Sequence, residues 1–181
     1  MVDRLTGERF LDEMTPEEKE RAARVEQVLP ALRAAAAQAD ADGAFPVEHI
    51  KLLRDAGLLG LVVPKEYGGL GGTLRDLAAA TFAMGTACPS TALAFFFHNT
   101  SASRGTLPLE AIEAGLFDEA DVPTGEAFAE RVLTRMADGV WLANFASESV
   151  KSSGANIAIA TTASPVERDG VQGWVLNGEK S

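Results

Sequence analysis

Apolar residues recur at helical spacing along most of this chain, and the pattern changes character once, near residue 139. Thr15 is placed to cap a helix, Pro16 takes its first position, and Glu17 and Glu18 fall in the electropositive first turn. Val25, Val28, Leu29 and Leu32 keep helical spacing beyond it. Pro30 removes a backbone donor and is expected to kink or divide this helix, and Gly43 is expected to end it. The next stretch, GAFPVEHIKLLRDAG, predicts a short second helix with Val47, Ile50 and Leu53 on one side. LLGLVVP, closed by Pro64, is too short for a helix and reads as a buried extended link. Further on, Leu74, Leu77, Ala78, Thr81 and Phe82 fall at i, i+3, i+4, i+7 and i+8, an amphipathic helix that Thr73 is placed to cap. The helix begun by Cys88-Pro89-Ser90 carries Leu93, Phe95, Phe96 and Phe97 with no polar face over two turns, which predicts burial on all sides. Two less regular helical pieces follow, around residues 109–114 and 125–137.

Past Asp138-Gly139 the runs WLANFAS, NIAIATTAS and VQGWVLN are short, rich in Val, Ile, Thr and Trp, and separated by turn residues, as strands are. Asp169-Gly170 lies between the second and third runs, and Asn177-Gly178 is the strongest hairpin signal in the chain. The expected organisation is a helical domain over residues 1–139 and the beginning of a β domain over 140–181. Only three residues follow Asn177-Gly178 to form a returning arm. A few strands with an open edge do not bury their apolar faces alone, so the chain reads as a fragment or as a product that expects a partner.

The stretch PKEYGGLGGTLRD raises the question of a phosphate site. A P-loop needs a strand, then glycines with Lys-Ser or Lys-Thr leading into a helix, and a dinucleotide fingerprint needs G-x-G-x-x-G within a βαβ unit. Here Lys65 precedes the glycines, no parallel strand pattern surrounds them, and G-G-x-G-G fits neither template. The glycines are expected to turn the chain and let two helices pack.

Charge and composition narrow the partners. A formal charge of −10 and a pI of about 4.7 argue against nucleic acid or an anionic membrane, both of which need clustered Lys and Arg. The single Cys88 makes no internal disulfide and is expected to be buried and inert. A cytoplasmic location is the expectation, since the opening MVDRLTGERFLDEM has no apolar core of a signal peptide. His98 and His49 have no second ligand at chelating spacing, so no metal is expected. His98 reads as a core histidine and receives no catalytic role.

The stretch VVPKEYGGLGGTLRDLAAATFAMGTACPSTALAFFFHN resembles the loop and following two helices of the acyl-CoA dehydrogenase family. GAFPVEHIKLLRDAGLLGLVVP is similar to the second helix and entry segment of that family's N-terminal domain. The residues from Trp141 to Ser181 are similar to the first strands of its middle β domain. The YGGLGG loop together with WVLNGEK at the right distance is the specific combination. The fold implied is mainly α: a helical bundle of that N-terminal type, followed by the first strands of an incomplete antiparallel β domain.

The resemblance implies a flavin enzyme, with FAD as cofactor and an acyl thioester or other small molecule as substrate. In the family a carboxylate takes the α proton while the β hydrogen leaves as hydride to the flavin, the chemistry of fatty acid metabolism. That carboxylate lies in a C-terminal domain, so this chain carries no catalytic residue. Where the family has Thr-Glu-Pro followed by Ala-Gly-Ser-Asp, this sequence has Ser147-Glu148-Ser149 followed by Ser152-Ser153-Gly154-Ala155-Asn156. By position, Ala146 and Ser147 are expected at the isoalloxazine edge, and Ser153 at the cofactor phosphate and the thioester ligand. Phe95 and Phe96 are expected to line the substrate cavity. Ser149 replaces a proline and the closing acidic residue is absent, which loosens the link to acyl-CoA. A monooxygenase or oxidase on the same fold is the enzyme alternative, and a non-catalytic helical interaction protein the alternative from another class. The electron acceptor is not legible; the full-length protein is expected to be a homo-oligomer.

Overall fold

The computed structural model describes residues 14–143 and 161–179. The chain divides into two compact units, Met1–Ala143 and Asn144–Ser181.

The first unit is helical. α1 (Pro16–Asp42) opens with a reciprocal capping box: the Glu18 amide donates to Thr15 Oγ1 at 3.2 Å, and the Thr15 amide to Glu18 Oε2 at 2.7 Å. Gly43 ends it in the left-handed conformation, at φ 58°. Pro30 does not divide α1. It sits on the exposed side, where water satisfies the carbonyl it orphans, while Val28 and Leu32 on either side are buried. An interior proline costs about 3 kcal/mol; burying two such side chains contributes about as much or more, so the helix continues.

In α2 (Val47–Asp55) the buried residues are His49, Ile50 and Leu53, and Val47 is exposed, contrary to the expected stripe. LLGLVVP is buried as predicted but not extended: Leu58–Gly60 form a 3-10 turn, which Gly57 enters at φ 73°. A second 3-10 turn, Lys65–Tyr67, leads into the glycine loop.

α3 (Leu74–Gly85) follows, and its burial differs from the predicted stripe. Leu77, Ala80 and Met84 face the core, while Leu74 and Phe82 are exposed. The cause is Asp76, which is drawn inward by Arg21 of α1: Nε to Oδ1 at 2.9 Å and Nη2 to Oδ2 at 3.1 Å. Asp76 Oδ2 also accepts the amide and hydroxyl of Thr73, so one carboxylate caps α3 and fixes its rotation. Arg75 pairs with Glu18 at 3.4 Å, a second tie between the two helix starts.

α4 (Pro89–Thr100) buries Thr91, Ala92, Phe95, His98 and Asn99 but leaves Leu93 and Phe97 more than half exposed. The expected burial on all sides is therefore corrected: the described residues cover one face. α5 (Ser103–Glu113) and α6 (Val122–Ala137) pack where Gly105 lies against Leu133, and α6 turns Gly125, Ala129, Leu133 and Met136 inward. The larger core joins α1 to α4 around Leu32, Leu53, Leu58 and Phe95; a smaller one gathers Val63, Ala102, Leu133 and Met136.

In the second unit, β1 (Thr162–Arg168) and β2 (Val171–Asn177) form an antiparallel hairpin with Arg168 opposite Val171 and Thr162 opposite Asn177. Its turn is Asp169-Gly170, at φ 53° and 76°, the paired left-handed geometry that matches strand twist. Asn177-Gly178 ends β2.

Two outcomes test this account. Asp76→Ala leaves Arg21 buried and unpaired, and is expected to cost about 3–5 kcal/mol in urea unfolding, whereas Arg21→Met with Asp76→Leu recovers most of that loss. A Cβ at Gly69 would stand 2.1 Å from the Val63 carbonyl oxygen, so Gly69→Ala is expected to lower stability by at least about 1–3 kcal/mol. Gly43→Ala, which meets nothing within 4 Å, bears only the left-handed backbone penalty of about 1–2 kcal/mol.

Candidate functional site

The glycine loop is closed to phosphate by its own hydrogen bonds. The amides of Gly69, Leu70, Gly71 and Gly72 donate to the carbonyls of Pro64, Gly60, Val63 and Leu61 at 2.8–3.2 Å. Every N–H that a phosphate would need is already spent on the chain itself. The bare Cα atoms of Gly69 and Gly72 allow this approach, since a Cβ on either would meet a carbonyl oxygen inside 3.0 Å.

What the loop braces is the 3-10 link, and the link supports α4. Leu59 O accepts from His98 Nε2 at 2.9 Å, and Leu58 O accepts from Asn99 Nδ2 at 3.3 Å. Asn99 Oδ1 is buried without a hydrogen-bond partner. His98 is fully buried, and its second nitrogen, Nδ1, accepts the amide of Leu142 at 3.0 Å. The ring therefore holds its proton on Nε2 and is neutral. It stacks on Trp141 with centroids 4.6 Å apart and planes at 12°, and the edge of Phe45 meets the other aromatic system at 5.8 Å. Burial pushes the pKa of His98 below the ordinary range, outweighing the pull of the Leu59 carbonyl.

A second buried histidine forms a separate chain. His49 Nδ1 and Thr91 Oγ1 are 2.7 Å apart, and the Thr91 hydroxyl donates to Cys88 Sγ at 3.2 Å. Burial lowers the His49 pKa as well. Cys88 is a free, buried thiol as expected. Among the described residues, no three His, Cys, Asp or Glu side chains converge on a metal-sized site. No described helix is long and apolar enough to cross a membrane.

The predicted cofactor contacts Ala146, Ser147 and Ser153 lie outside the described residues. Phe95 is wholly buried in the larger core, and Phe96 is partly buried against it, edge-on to Phe97. Sequence reasoning placed His98 in the core but missed its tie to Leu142. The available signal was the pairing of a histidine on an apolar helix with a tryptophan just past the Gly139 helix stop.

The model for the N-terminal domain of acyl-CoA dehydrogenases matches residues 15–108, just over half of the chain. The chain belongs to the acyl-CoA dehydrogenase family. One relative, 35% identical over 68 residues, 38% of this chain and 17% of its own length, is an FADH(2)-dependent resorcinol hydroxylase oxygenase component of a Rhizobium species. The chain is 35% identical over 154 residues, 84% of its length and 32% of the relative's, to L-evernosamine nitrososynthase of a Micromonospora species. It is 36% identical over 155 residues to an amino sugar nitrososynthase of Streptomyces rubradiris, with the same shares covered. Among solved structures, KijD3 in complex with dTDP superposes with a TM-score of 0.70 at 34% identity, over 92% of this chain and 38% of that one. The chain thus spans about a third of the length of the curated relatives it matches.

The two lowered histidine pKa values set a pH dependence. A histidine held neutral in the fold takes up a proton only on unfolding, so the unfolded state binds more protons as the pH drops through its own pKa of about 6.5. Urea midpoints of the helical unit are expected to be flat above that pH and to fall below it, until the depressed folded values are reached. His49→Gln is expected to remove part of the slope.

Proposed function

We propose that this chain is the N-terminal portion of a flavin-dependent N-oxygenase, in which reduced flavin and dioxygen oxidise the amine nitrogen of a sugar. The observation that carries this reading is the extent of likeness to the two nitrososynthases, which runs over 84% of the chain. The departures in the predicted flavin stretch agree with it, because Ser149 stands where the dehydrogenases have proline and no acidic residue closes the motif at Asn156. In the first step of such chemistry one oxygen atom of O2 goes to the amine, giving a hydroxylamine. The other leaves as water, with the two electrons supplied by reduced flavin.

The predicted donor set fits FAD chemically. Ser147 and Ser153 offer neutral hydroxyls that donate and accept, as a ring edge and a phosphate oxygen need, and Ala146 offers backbone polar groups. Within the helical unit, Phe96 and Phe97 present an apolar aromatic surface of the kind that lines substrate pockets.

The test uses the full-length enzyme of which this chain is a portion, with chemically reduced FAD, oxygenated buffer and a dTDP-linked amino sugar. The expected products by mass spectrometry are the hydroxylamine, one oxygen heavier than the amine, and the nitroso sugar, which has gained one oxygen and lost two hydrogens after a second O2 and a second reduced flavin are consumed and water is lost. Anaerobic bleaching of oxidised FAD by an acyl-CoA, with formation of the enoyl thioester, would instead establish dehydrogenation.

A further inference from the structure

The two outer edges of the β1–β2 ribbon are not equivalent. Asp169-Gly170 is a two-residue turn, so the flanking pair, Arg168 and Val171, exchanges both backbone hydrogen bonds, and bonded and non-bonded pairs alternate from there. Glu167 with Gln172, Pro165 with Trp174 and Ala163 with Leu176 are then the non-bonded pairs, whose N–H and C=O groups point away from the partner strand. On β1 this outward row is Ala163, Pro165 and Glu167. Pro165 has no N–H, so the row is broken at its centre. On β2 the row is Gln172, Trp174 and Leu176, with every donor intact. We infer that the β unit accepts a further strand on one side only: β2 is the docking edge and β1 the closed one, and the occupant is an extended segment of the same full-length polypeptide. Nothing in this depends on the reaction the enzyme performs.

The side chains agree with the backbone. Residues of one outward row share a face of the ribbon, because the side-chain period of a strand is two, so Trp174 and Leu176 lie side by side across from Pro165 and Ala163. They are 67% and 73% exposed, an apolar surface that a two-stranded ribbon does not cover by itself. A proline and a carboxylate on the β1 row are both devices that discourage pairing, whereas the β2 row carries no charge. The strand that docks on β2 is expected to bear apolar residues at alternate positions, so that they meet Trp174 and Leu176 on their own face. The stretch matched is 32% of the length of each nitrososynthase relative, so a polypeptide of this kind has ample chain to supply that strand itself. A tethered segment acts at high effective concentration and outcompetes a second copy for the same edge.

The experiment is hydrogen exchange on the full-length enzyme, read residue by residue by mass spectrometry with electron-transfer fragmentation. The amides of Gln172, Trp174 and Leu176 are expected to exchange about 100-fold more slowly than those of Ala163 and Glu167. Paired variants add a second readout, since the fixed proline φ costs the same on either strand and each alanine control removes the side chain alone. Glu167→Pro is expected to match the thermal midpoint of Glu167→Ala, whereas Gln172→Pro is expected to fall about 2–4 °C below Gln172→Ala. Fast exchange along β2 overturns the inference, as do equal midpoints for Gln172→Pro and Gln172→Ala. Slow exchange at Ala163 and Glu167 also overturns it, because a strand then lies on β1. Protection of β2 that vanishes on dilution to the monomer assigns the edge to a second copy and overturns the choice of occupant. Exchange is read on the parent enzyme, so a variant that fails to fold leaves the test intact.

Discussion

The bidentate pair between Arg21 and Asp76 is the constraint from which the rest of the helical unit is set. Two groups that both need water in the unfolded chain are almost fully buried together, at 10% and 6% side-chain exposure, so neither is tolerable there without the other. Burial pushes the Asp76 carboxyl up, yet the hydrogen bonds from Arg21 and Thr73 outweigh this and hold it below the usual carboxylate range. Because Asp76 is also the capping residue of α3, the pair sets where that helix begins and which way it faces. Arg21 reaches further, to the Leu70 carbonyl at 3.4 Å, and so touches the glycine loop. From the loop the connection passes by backbone hydrogen bonds to the 3-10 link, then to His98 and Asn99 of α4, and through His98 to the segment beyond α6.

Much of this was legible in the residues. Thr15 and Glu18 mark a helix start, Gly43 its end, and the spacing of the glycines excludes a nucleotide loop. The YGGLGG loop and the WVLNGEK stretch carried the family. What failed to show was rotation about helix axes. Leu74 and Phe82 have the spacing of buried residues, and periodicity alone gives no reason to turn them outward. The reason is an aspartate pairing with an arginine 55 residues earlier, a contact that no local pattern encodes. The same limit applies to α4, whose four large apolar residues looked buried all round although Leu93 and Phe97 are not. The connection read at Asp169-Gly170 is the observed hairpin turn, and Asn177-Gly178, the strongest hairpin signal, stands at the end of β2. The residues expected to meet the cofactor, Ala146, Ser147 and Ser153, were reached through resemblance, and fall outside the described parts of the chain.

Membership of the acyl-CoA dehydrogenase family sets a fold and a cofactor class but leaves the reaction open. The helical packing accounts for the fold and by itself selects no reaction, since one fold hosts many chemistries.

The close approach at Gly69 has a genetic corollary. Every single-base change in a glycine codon that puts another amino acid there adds at least a carbon to Cα, and here that carbon would collide with a main-chain oxygen that has no rotamer by which to retreat. Gly72, pressed against the Leu61 carbonyl, is in the same situation. Point mutation has no conservative step to offer at either codon, so exploration of new sequences by this loop is channelled into Leu70 and the flanking Lys65 and Glu66.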